Sequence, residues 1–253
     1  MNETAVPELQ SIGVRGIRYP VTALDRAMGE QHTVATVDLR VELPHQIPEH
    51  RENTLVEILG RHRHGITIDS IELLLREMRE AFEAHAAHLD LRFPYFLKKR
   101  APVSHSESVM EYECRIVGRL GSEFSREIEV RVPITLLSPH DGSGRGTRNQ
   151  RCVVTVNLRF ERFVWFEDVI ERVERAASCD LFALLKRGDE KHVTLRAYER
   201  PVTLVDLVRG IARELARDDG ITWFRVVAEN LDSVHNHNTY ASVEWSRTNP
   251  SPS

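Results

Sequence analysis

The sequence predicts an α+β protein whose long strands pair antiparallel, with one face of each strand covered. Three observations lead to this fold class. Several stretches alternate apolar and polar residues with the two-residue period of a strand that has one wet face. Other stretches carry apolar residues at spacings of three and four, which is the period of an amphipathic helix. The order strand, helix, strands occurs in both halves of the chain, and this order predicts two similar halves.

The strands are predicted from alternation alone. Apolar residues occupy every odd position from Ala35 to Leu43, and polar residues occupy the positions between them. The same pattern predicts further strands at 110–116, 128–136, 152–160, near 221–229 and near 240–245. An antiparallel sheet can leave one face to water, so long strands of this kind favour antiparallel pairing.

Helices are predicted where the period changes from two to between three and four. They lie at 71–82, around 169–173 and at 204–215. Asp69 or Ser70 is placed to cap the first of them. Thr203 precedes the last one, and Asp206 follows three residues later as the partner of a capping box.

The domain boundaries follow from a loop in the middle of the chain. Residues 139–148 are rich in turn formers, so they are predicted to connect a first module at 1–138 with a second module at 149–245. The tail at 246–253 is polar and rich in Pro and Ser, which predicts disorder. No sequence repeat relates the two halves.

Composition excludes several function classes. The chain has 34 Lys and Arg against 38 Asp and Glu, a formal net charge of −4, so no global basic field favours nucleic-acid binding. No stretch reaches the roughly 18 apolar residues of a membrane span, and the first ten residues carry acids without an apolar run. We therefore expect a cytoplasmic protein that has neither nucleic acid nor membrane as a partner.

The cysteines predict neither disulfides nor a zinc knuckle. Cys114, Cys152 and Cys179 are odd in number, and each lies in an apolar stretch without CxxC spacing. Buried free thiols are the expected state of all three.

His235 and His237 are the first candidates for chemistry. Two imidazoles two residues apart point to the same side of an extended segment, which suits a metal or a proton relay. Two surface histidines in a loop are the alternative. Glu190 lies in a charge cluster, where a solvated carboxylate is the ordinary interpretation. The basic run 98–100, which comprises Lys98, Lys99 and Arg100, follows an aromatic run and can hold phosphate, although a basic strand end that faces water fits the same pattern.

Blocks spread over nearly the whole chain resemble one known family. The longest comprises 167–170 and the stretch CDLFALLKRGDEK at 179–191. Shorter blocks lie at 10–11, 18–20, 101–104, 149–151, 229–230 and 233–237. In these blocks the sequence resembles the prokaryotic GTP cyclohydrolase IB family.

The resemblance implies a fold, an assembly and a reaction. The fold is a bimodular tunnelling fold (T-fold), in which each module is an antiparallel sheet with helices on one face, and the assembly is a homotetramer with active sites between subunits. In that family a divalent metal activates water for attack on C8 of guanine, formate leaves, and rearrangement gives dihydroneopterin triphosphate. Zinc, manganese or iron is the implied metal, with a proton shuttle beside it.

Carried over residue by residue, the resemblance implies catalytic roles for Glu190, His235 and His237. The family's Cys-Pro-Cys segment, which supplies a metal ligand, reads Ser138-Pro139-His140 here, and its ligating histidine is Arg148. A hydroxyl is a poor ligand compared with a thiolate, and a guanidinium cannot coordinate a metal. His140 can replace a lost ligand and form a three-ligand open site with Glu190 and with His235 or His237.

Substrate recognition also departs from the family pattern. The carboxylate that anchors the guanine edge falls on Val205, which cannot accept hydrogen bonds, and such a loss costs roughly 10⁴-fold in discrimination in the strongest cases. The family's phosphate-holding segment is replaced by residues 51–54, in which Arg51 compensates in part. The candidate substrate-binding residues are therefore Arg51, Lys98, Arg148 and Val205.

These differences lead to one main hypothesis and two alternatives. The main hypothesis is a diverged, metal-dependent hydrolase or cyclohydrolase that acts on a cyclic amidine C–N bond of a small purine-like heterocycle. The first alternative is an authentic GTP cyclohydrolase that makes dihydroneopterin triphosphate. The second is a non-catalytic T-fold protein that binds a ligand or serves as a scaffold.

Overall fold

The computed structural model describes residues 10–43, 52–62, 66–67, 70–138, 149–232 and 235–247. These residues form nine strands and five helices in the order β1 (Ser11–Asp25), β2 (Gly29–Glu42), α1 (Glu52–Arg61), α2 (Ile71–Ala81), β3 (Ala86–Arg100), β4 (Glu107–Leu120), β5 (Phe124–Leu137), β6 (Asn149–Phe160), α3 (Phe166–Ala176), β7 (Cys179–Asp180), α4 (Arg187–Glu199), α5 (Leu204–Ala216), β8 (Ile221–Leu231) and β9 (Thr239–Ser246). None of the five helices has the length and apolar character needed to cross a bilayer.

The strands pair in the order β1-β2-β3-β4-β5-β6-β8-β9, and β7 pairs with β5. Pairing is antiparallel between β1 and β2, β2 and β3, β5 and β6, β5 and β7, β6 and β8, and β8 and β9. The predicted α+β class with antiparallel sheets is therefore confirmed. Each predicted strand corresponds to an observed one.

The chain divides into two compact units. The first comprises Met1–Phe93 and Arg115–Glu127, and the second comprises Pro94–Cys114 and Ile128–Ser253. The loop predicted to separate two modules, 139–148, lies outside the described residues, so the division at that loop stays a prediction. β9 runs through Ser246, the first residue of the predicted tail, and 248–253 lie outside the described residues.

The core of the first unit follows the predicted alternation. Val37 and Val41 on β2 have no exposed surface, while the polar residues between them are partly exposed. Helix α2 buries Leu74, Leu75 and Met78 completely. The two-residue and helical periods therefore identify which side of β2 and which side of α2 are buried.

Helix α2 does not begin with the predicted cap. Ser70 precedes the helix, but its side chain makes no capping hydrogen bond. Its Oγ instead accepts from the Thr67 amide at 2.9 Å and donates to the Thr67 carbonyl at 3.0 Å. The hydroxyl is thus used by the preceding turn, which is the local competition expected of serine. Asp69, the other predicted cap, lies outside the described residues.

The second unit places α3 and α5 against each other, and α5 also contacts β8 and β9. Half of the capping box predicted for α5 is present, because Thr203 caps the helix but the Asp206 carboxylate bonds the Thr203 hydroxyl and not its backbone amide. The amide of Asp206 donates to Thr203 Oγ1 at 3.0 Å, and Thr203 Oγ1 donates to the Asp206 carboxylate at 2.7 Å. The helix boundary at Thr203 is therefore fixed by local sequence.

The three cysteines are free and buried, as predicted. Burial raises the pKa of the Cys152 thiol to about 12 and that of Cys179 to about 11. Burial also raises the pKa of Cys114 well above its ordinary value. All three therefore remain thiols at neutral pH.

Gly13 provides the first test of the fold. A Cβ added to Gly13 would lie 2.4 Å from the backbone oxygen of Leu39, a contact that backbone movement alone can relieve. We expect Gly13→Ala to lower the free energy of unfolding by about 2 kcal/mol, the usual cost of overpacking. Gly210→Ala in α5 is the control, because nothing lies within 4 Å of its Cβ position. It should raise stability by about 0.5–1 kcal/mol. Urea unfolding measures the free energy of unfolding of both variants. If Gly13→Ala has the same free energy of unfolding as the unaltered chain, the close approach of β1 to β2 is wrong.

Candidate active site

The structure brings His235 and His237 together. Their rings stack with centroids 5.2 Å apart and planes inclined by 19°. Both side chains are exposed in the connection between β8 and β9, which bends here instead of continuing as a strand. The His235 amide donates to Asp232 Oδ1 at 3.0 Å, and Asn238 Nδ2 donates to Glu229 Oε1 at 2.9 Å. These two hydrogen bonds close the base of the connection and present both imidazoles to solvent.

A buried amide pair lies at the end of β8 from which this connection leaves. Asn230 Nδ2 donates to Gln150 Oε1 on the neighbouring strand β6. Asn230 is 7% exposed and Gln150 is 8% exposed. The remaining polar atoms, Gln150 Nε2 and Asn230 Oδ1, have no hydrogen-bond partner in the described part of the chain. Loss of either residue would leave its partner buried without a hydrogen bond, so the pair holds this end of the sheet in register.

Asp189 is a buried carboxylate of the second unit that accepts four hydrogen bonds. Its side chain has no exposed surface and lies in the first turn of α4. Oδ1 accepts from the amides of Val103 and Ser104, each at 2.8 Å. Oδ2 accepts from Ser104 Oγ at 2.6 Å and from the Lys186 amide at 2.9 Å. One carboxylate therefore fastens the β3–β4 turn to the start of α4.

The charge of Asp189 is stabilised by these donors. Burial disfavours the ionised form, but the donors from Ser104, Lys186 and Val103 outweigh it and hold the pKa of Asp189 well below its ordinary range. A depressed pKa contributes stability that is present above the unfolded pKa and is lost as pH falls through the folded one. The attachment should therefore persist at neutral pH and weaken only in strong acid.

Glu190 follows Asp189 directly and is exposed. Its amide donates to the Lys186 carbonyl at 3.0 Å, and its carbonyl accepts from Thr194 Oγ1 at 2.8 Å. The backbone of Glu190 is thus fixed by α4, while its carboxylate faces solvent. The predicted catalytic carboxylate is presented by a helix whose first turn is anchored by its neighbour.

A second polar cluster supports the segment that leads into α4. Lys99 Nζ lies 2.8 Å from Glu174 Oε1 and 3.1 Å from Asp180 Oδ2. Tyr112 OH donates to the same Glu174 oxygen at 2.7 Å, and Lys99 Nζ lies 4.6 Å from the centroid of the Phe182 ring. The side chain of Lys99 is 11% exposed. The cluster therefore joins the end of β3 to α3 and β7 through one buried ammonium group.

Burial controls the protonation of this cluster. It raises the pKa of Glu174, although Lys99 and Tyr112 partly offset the effect. It also raises the pKa of Tyr112, helped by the negative charge of Glu174. Tyr112 therefore stays a donor at every physiological pH.

The predicted substrate-binding residues have mixed outcomes. Lys98 is exposed at the end of β3. Val205 is 48% exposed in the first turn of α5, so an apolar side chain faces water where the family resemblance expects a carboxylate. Arg51 and Arg148 lie outside the described residues.

The predicted metal set cannot be assembled from the described residues. Among them, no three histidine, cysteine, aspartate or glutamate side chains are placed to hold a metal ion. Ser138 is exposed and offers a hydroxyl only. His140, the third member of the predicted set with Glu190 and His235, lies outside the described residues. The described donors of one chain do not fit a metal cage.

The first unit contains a separate groove of about 770 Å³. Its carboxylates are held by guanidinium groups: Asp90 accepts from Arg115 at 2.7 and 2.8 Å, and Asp38 accepts from Arg92 at 2.8 Å. Burial works against ionisation of Asp90, but Arg115 and Arg92 lower its pKa. No described member of the predicted site lines this groove, and the predicted catalytic residues Glu190, His235 and His237 all belong to the second unit.

Sequence reasoning considered Lys99 for phosphate binding and missed its ion pairs, and it gave no role to Asp189, Gln150 or Asn230. Asp189 carried a local signal, because it stands three residues after Lys186 in the first turn of a helix, where a carboxylate stabilises backbone amides. The other three carried no local signal. Their roles depend on partners far away along the chain.

Two curated proteins of one enzyme type are similar to this chain over almost its whole length. A GTP cyclohydrolase FolE2 of Pelobacter propionicus is 44% identical over 241 residues, which cover 94% of each chain. A GTP cyclohydrolase FolE2 of Nitrosococcus oceani is 44% identical over 239 residues, covering 93% of this chain and 90% of the relative. The expectation of a GTP cyclohydrolase family is thus confirmed, with FolE2 as the type.

Solved structures of low sequence identity share the fold. A uricase from Arthrobacter globiformis has a TM-score of 0.58 at 13% identity and covers 99% of this chain and 98% of its own. A uricase from Bacillus fastidious has a TM-score of 0.62 at 8% identity and covers 96% and 94%. These structures support the tunnelling fold. A family model described as type I GTP cyclohydrolase folE2 matches residues 2–241, and the chain therefore belongs to that family.

Proposed function

We propose that this protein is a GTP cyclohydrolase that converts GTP to dihydroneopterin triphosphate with release of formate. The observation that carries the proposal is the 44% identity to a GTP cyclohydrolase FolE2 over 94% of both chains. The family membership favours this activity over the diverged heterocycle hydrolase that the sequence differences had suggested. Action as a homotetramer, with sites between subunits and a divalent metal, belongs to the same proposal.

The chemistry required of the residues is proton transfer. Water that attacks C8 of the guanine must lose a proton, and the ring nitrogens that leave must gain one. Histidine exists in both protonation states near neutral pH, so one imidazole can accept a proton while a second donates one. The stacked rings of His235 and His237, 5.2 Å apart, offer both functions on one surface. Glu190 is the carboxylate assigned to the same site.

A second candidate function is favoured by Val205. This residue is 48% exposed on α5 and cannot accept the hydrogen bonds that a guanine edge offers. A FolE2 relative that acts on a differently substituted purine-like heterocycle fits this position. A series of nucleotides that differ at the guanine N1 and amino positions separates the candidates, because the authentic enzyme should prefer GTP.

The direct test is to incubate the protein with GTP and Mn²⁺ or Zn²⁺ and to measure formate and pterin fluorescence. We expect both products from the unaltered chain. His235→Ala should lower the rate by about 10² to 10⁴-fold, which is the usual contribution of a general acid or base.

The matched control is His85→Ala, which removes an exposed histidine of the first unit. It should leave the rate within about twofold, because its imidazole has no assigned role. Absence of both products would exclude GTP turnover, and turnover of another heterocycle would then favour the second candidate. If no heterocycle is turned over, the non-catalytic alternative remains.

A further inference from the structure

Two non-glycine residues of the described chain have a positive φ. Glu83, with φ of 48°, follows the last turn of α2, where the left-handed conformation commonly ends a helix. His105, with φ of 56°, lies in the turn between β3 and β4, where its amide donates to a carbonyl four residues earlier, the hydrogen bond that commonly accompanies a left-handed residue. A left-handed backbone is unfavourable for residues other than glycine. The turn therefore carries an imidazole at a position that glycine would occupy more easily.

The surrounding hydrogen bonds hold His105 in this conformation. The His105 amide donates to the Ala101 carbonyl at 3.2 Å, and the Ala101 amide donates to the Ser106 carbonyl at 2.9 Å. The amides of Val103 and Ser104 donate to Asp189. Strain of this kind persists where the structure over-determines it, and it concentrates at functional sites.

His105 and Glu190 belong to one patch of the second unit. Ser104 Oγ lies 2.6 Å from Asp189 Oδ2, and His105 and Glu190 are the next residues after these two partners. A Cβ at Gly188 would meet Val103 Cγ1 at 3.7 Å, so the turn packs on the first turn of α4 in ordinary van der Waals contact. The side chains of His105 and Glu190 are both exposed.

This patch is rich in cationic groups. Lys186 and Arg187 are exposed where α4 begins, and Lys98 is exposed on the strand that leads into the turn. Arg100 on the same strand is paired with Glu107 at 2.9 Å. An imidazole N–H and the side chains of lysine and arginine all donate hydrogen bonds, and such donors suit an anionic group such as phosphate.

We propose that His105 is a further substrate-contacting residue, whose imidazole donates a hydrogen bond to the phosphates of the nucleotide. This assignment rests on the proposed function, because it takes GTP as the substrate and puts its phosphates beside the start of α4, where Glu190 lies. It also explains why a strained position keeps an imidazole. A contact that is equal in the ground state and the transition state raises KM when it is lost and leaves kcat unchanged.

Two variants of His105 distinguish loss of a contact with the phosphates from a change in the backbone of the turn. His105→Asn removes the imidazole but tolerates the left-handed backbone, and His105→Gly removes both the imidazole and the strain. We expect each to raise KM for GTP about tenfold, with kcat changed less than about twofold, because a hydrogen bond to a charged group is lost. His105→Gly should also raise Tm by about 2–4 °C.

Calorimetric binding of inorganic tripolyphosphate provides a readout that does not depend on turnover. We expect its Kd to rise about tenfold in both variants. The binding of guanosine, which lacks phosphate, should stay within about twofold. Unchanged tripolyphosphate binding in both variants, or no binding to the unaltered chain, would overturn the assignment of His105. A chain that makes no pterin but binds tripolyphosphate through His105 would overturn the proposed function and leave the assignment intact.

Discussion

Asp189→Asn is expected to lower kcat/KM for GTP by about 100-fold, although Asp189 is fully buried and cannot reach substrate. The carboxylate accepts four hydrogen bonds, two at each oxygen. An amide has one oxygen and one NH₂ group, so one pair of donors must then face another donor. Either the β3–β4 turn or the start of α4 loses its attachment, and Glu190 moves with it.

The control for this variant is Asp206→Asn. Asp206 also lies in the first turn of a helix and bonds its capping residue, but its side chain is exposed. The same chemical change there should leave kcat/KM within about twofold, since water replaces lost hydrogen bonds at an exposed site. If Asp189→Asn turns over GTP as fast as Asp206→Asn, the inference that Asp189 holds Glu190 in place is wrong. A fall in Tm that occurs in Asp189→Asn and not in Asp206→Asn would confirm that the donors to Asp189 are buried.

Lys99→Met is expected to have the largest effect on stability, a loss of at least about 3 kcal/mol in the free energy of unfolding. The methionine fills a similar volume, but Glu174 and Asp180 lose the cation that lies 2.8 and 3.1 Å away. Their side chains are 15% and 17% exposed, so water replaces little of the lost interaction. Guanidinium unfolding monitored by circular dichroism measures the loss.

The pH dependence of this loss identifies its cause. Removal of Lys99 takes away a group that opposes the raised pKa of Glu174. A carboxyl whose folded pKa is raised favours folding while it is protonated and loses this contribution as pH rises through its folded pKa. The deficit of Lys99→Met should therefore be smaller in acid than at neutral pH. Lys191→Met, on the exposed surface of α4, should change stability by less than about 0.5 kcal/mol at either pH. A deficit that does not vary with pH would point to lost packing instead.

The parts of the fold that could be predicted are those that local sequence specifies. Val37 and Val41 alternate with polar residues, and the side of β2 on which they lie is buried. Thr203 and Asp206 fix the start of α5 by contacts three residues apart. His235 and His237 meet because they are neighbours in sequence, so their proximity needs no knowledge of the rest of the chain.

Other elements were missed because their local pattern is weak. Helix α4 buries only Asp189 and Ala197 among its residues, so it has no apolar stripe to recognise. Strand β3 alternates buried and partly exposed side chains from Ala87 to Tyr95, but Pro94 and the basic residues at its end obscure the pattern. Strand β1 contains an irregularity between Val14 and Ile17, which interrupts its alternation.

The candidate site was only half accessible to sequence reasoning for the same reason. His235 and His237 were candidates because of their spacing, and a family resemblance assigned catalytic roles to both of them and to Glu190. Asp189 joins residues 85 and 86 positions apart in the chain, and Lys99 joins residues 75 and 81 positions apart. Nothing in the composition around these residues shows which distant group they meet. Their roles emerge only when the chain is folded.

The three buried cysteines make local opening of the second unit measurable by chemical modification. Only the thiolate reacts with alkylating reagents, and Cys114, Cys152 and Cys179 are shielded from both solvent and ionisation. The rate at which these cysteines are alkylated in the native protein therefore measures how often the second unit opens locally. This measurement does not depend on any assay of catalysis. A variant whose cysteines are alkylated faster than those of the unaltered chain has weaker packing around them. A variant that loses activity without faster alkylation has lost a catalytic group and not the fold.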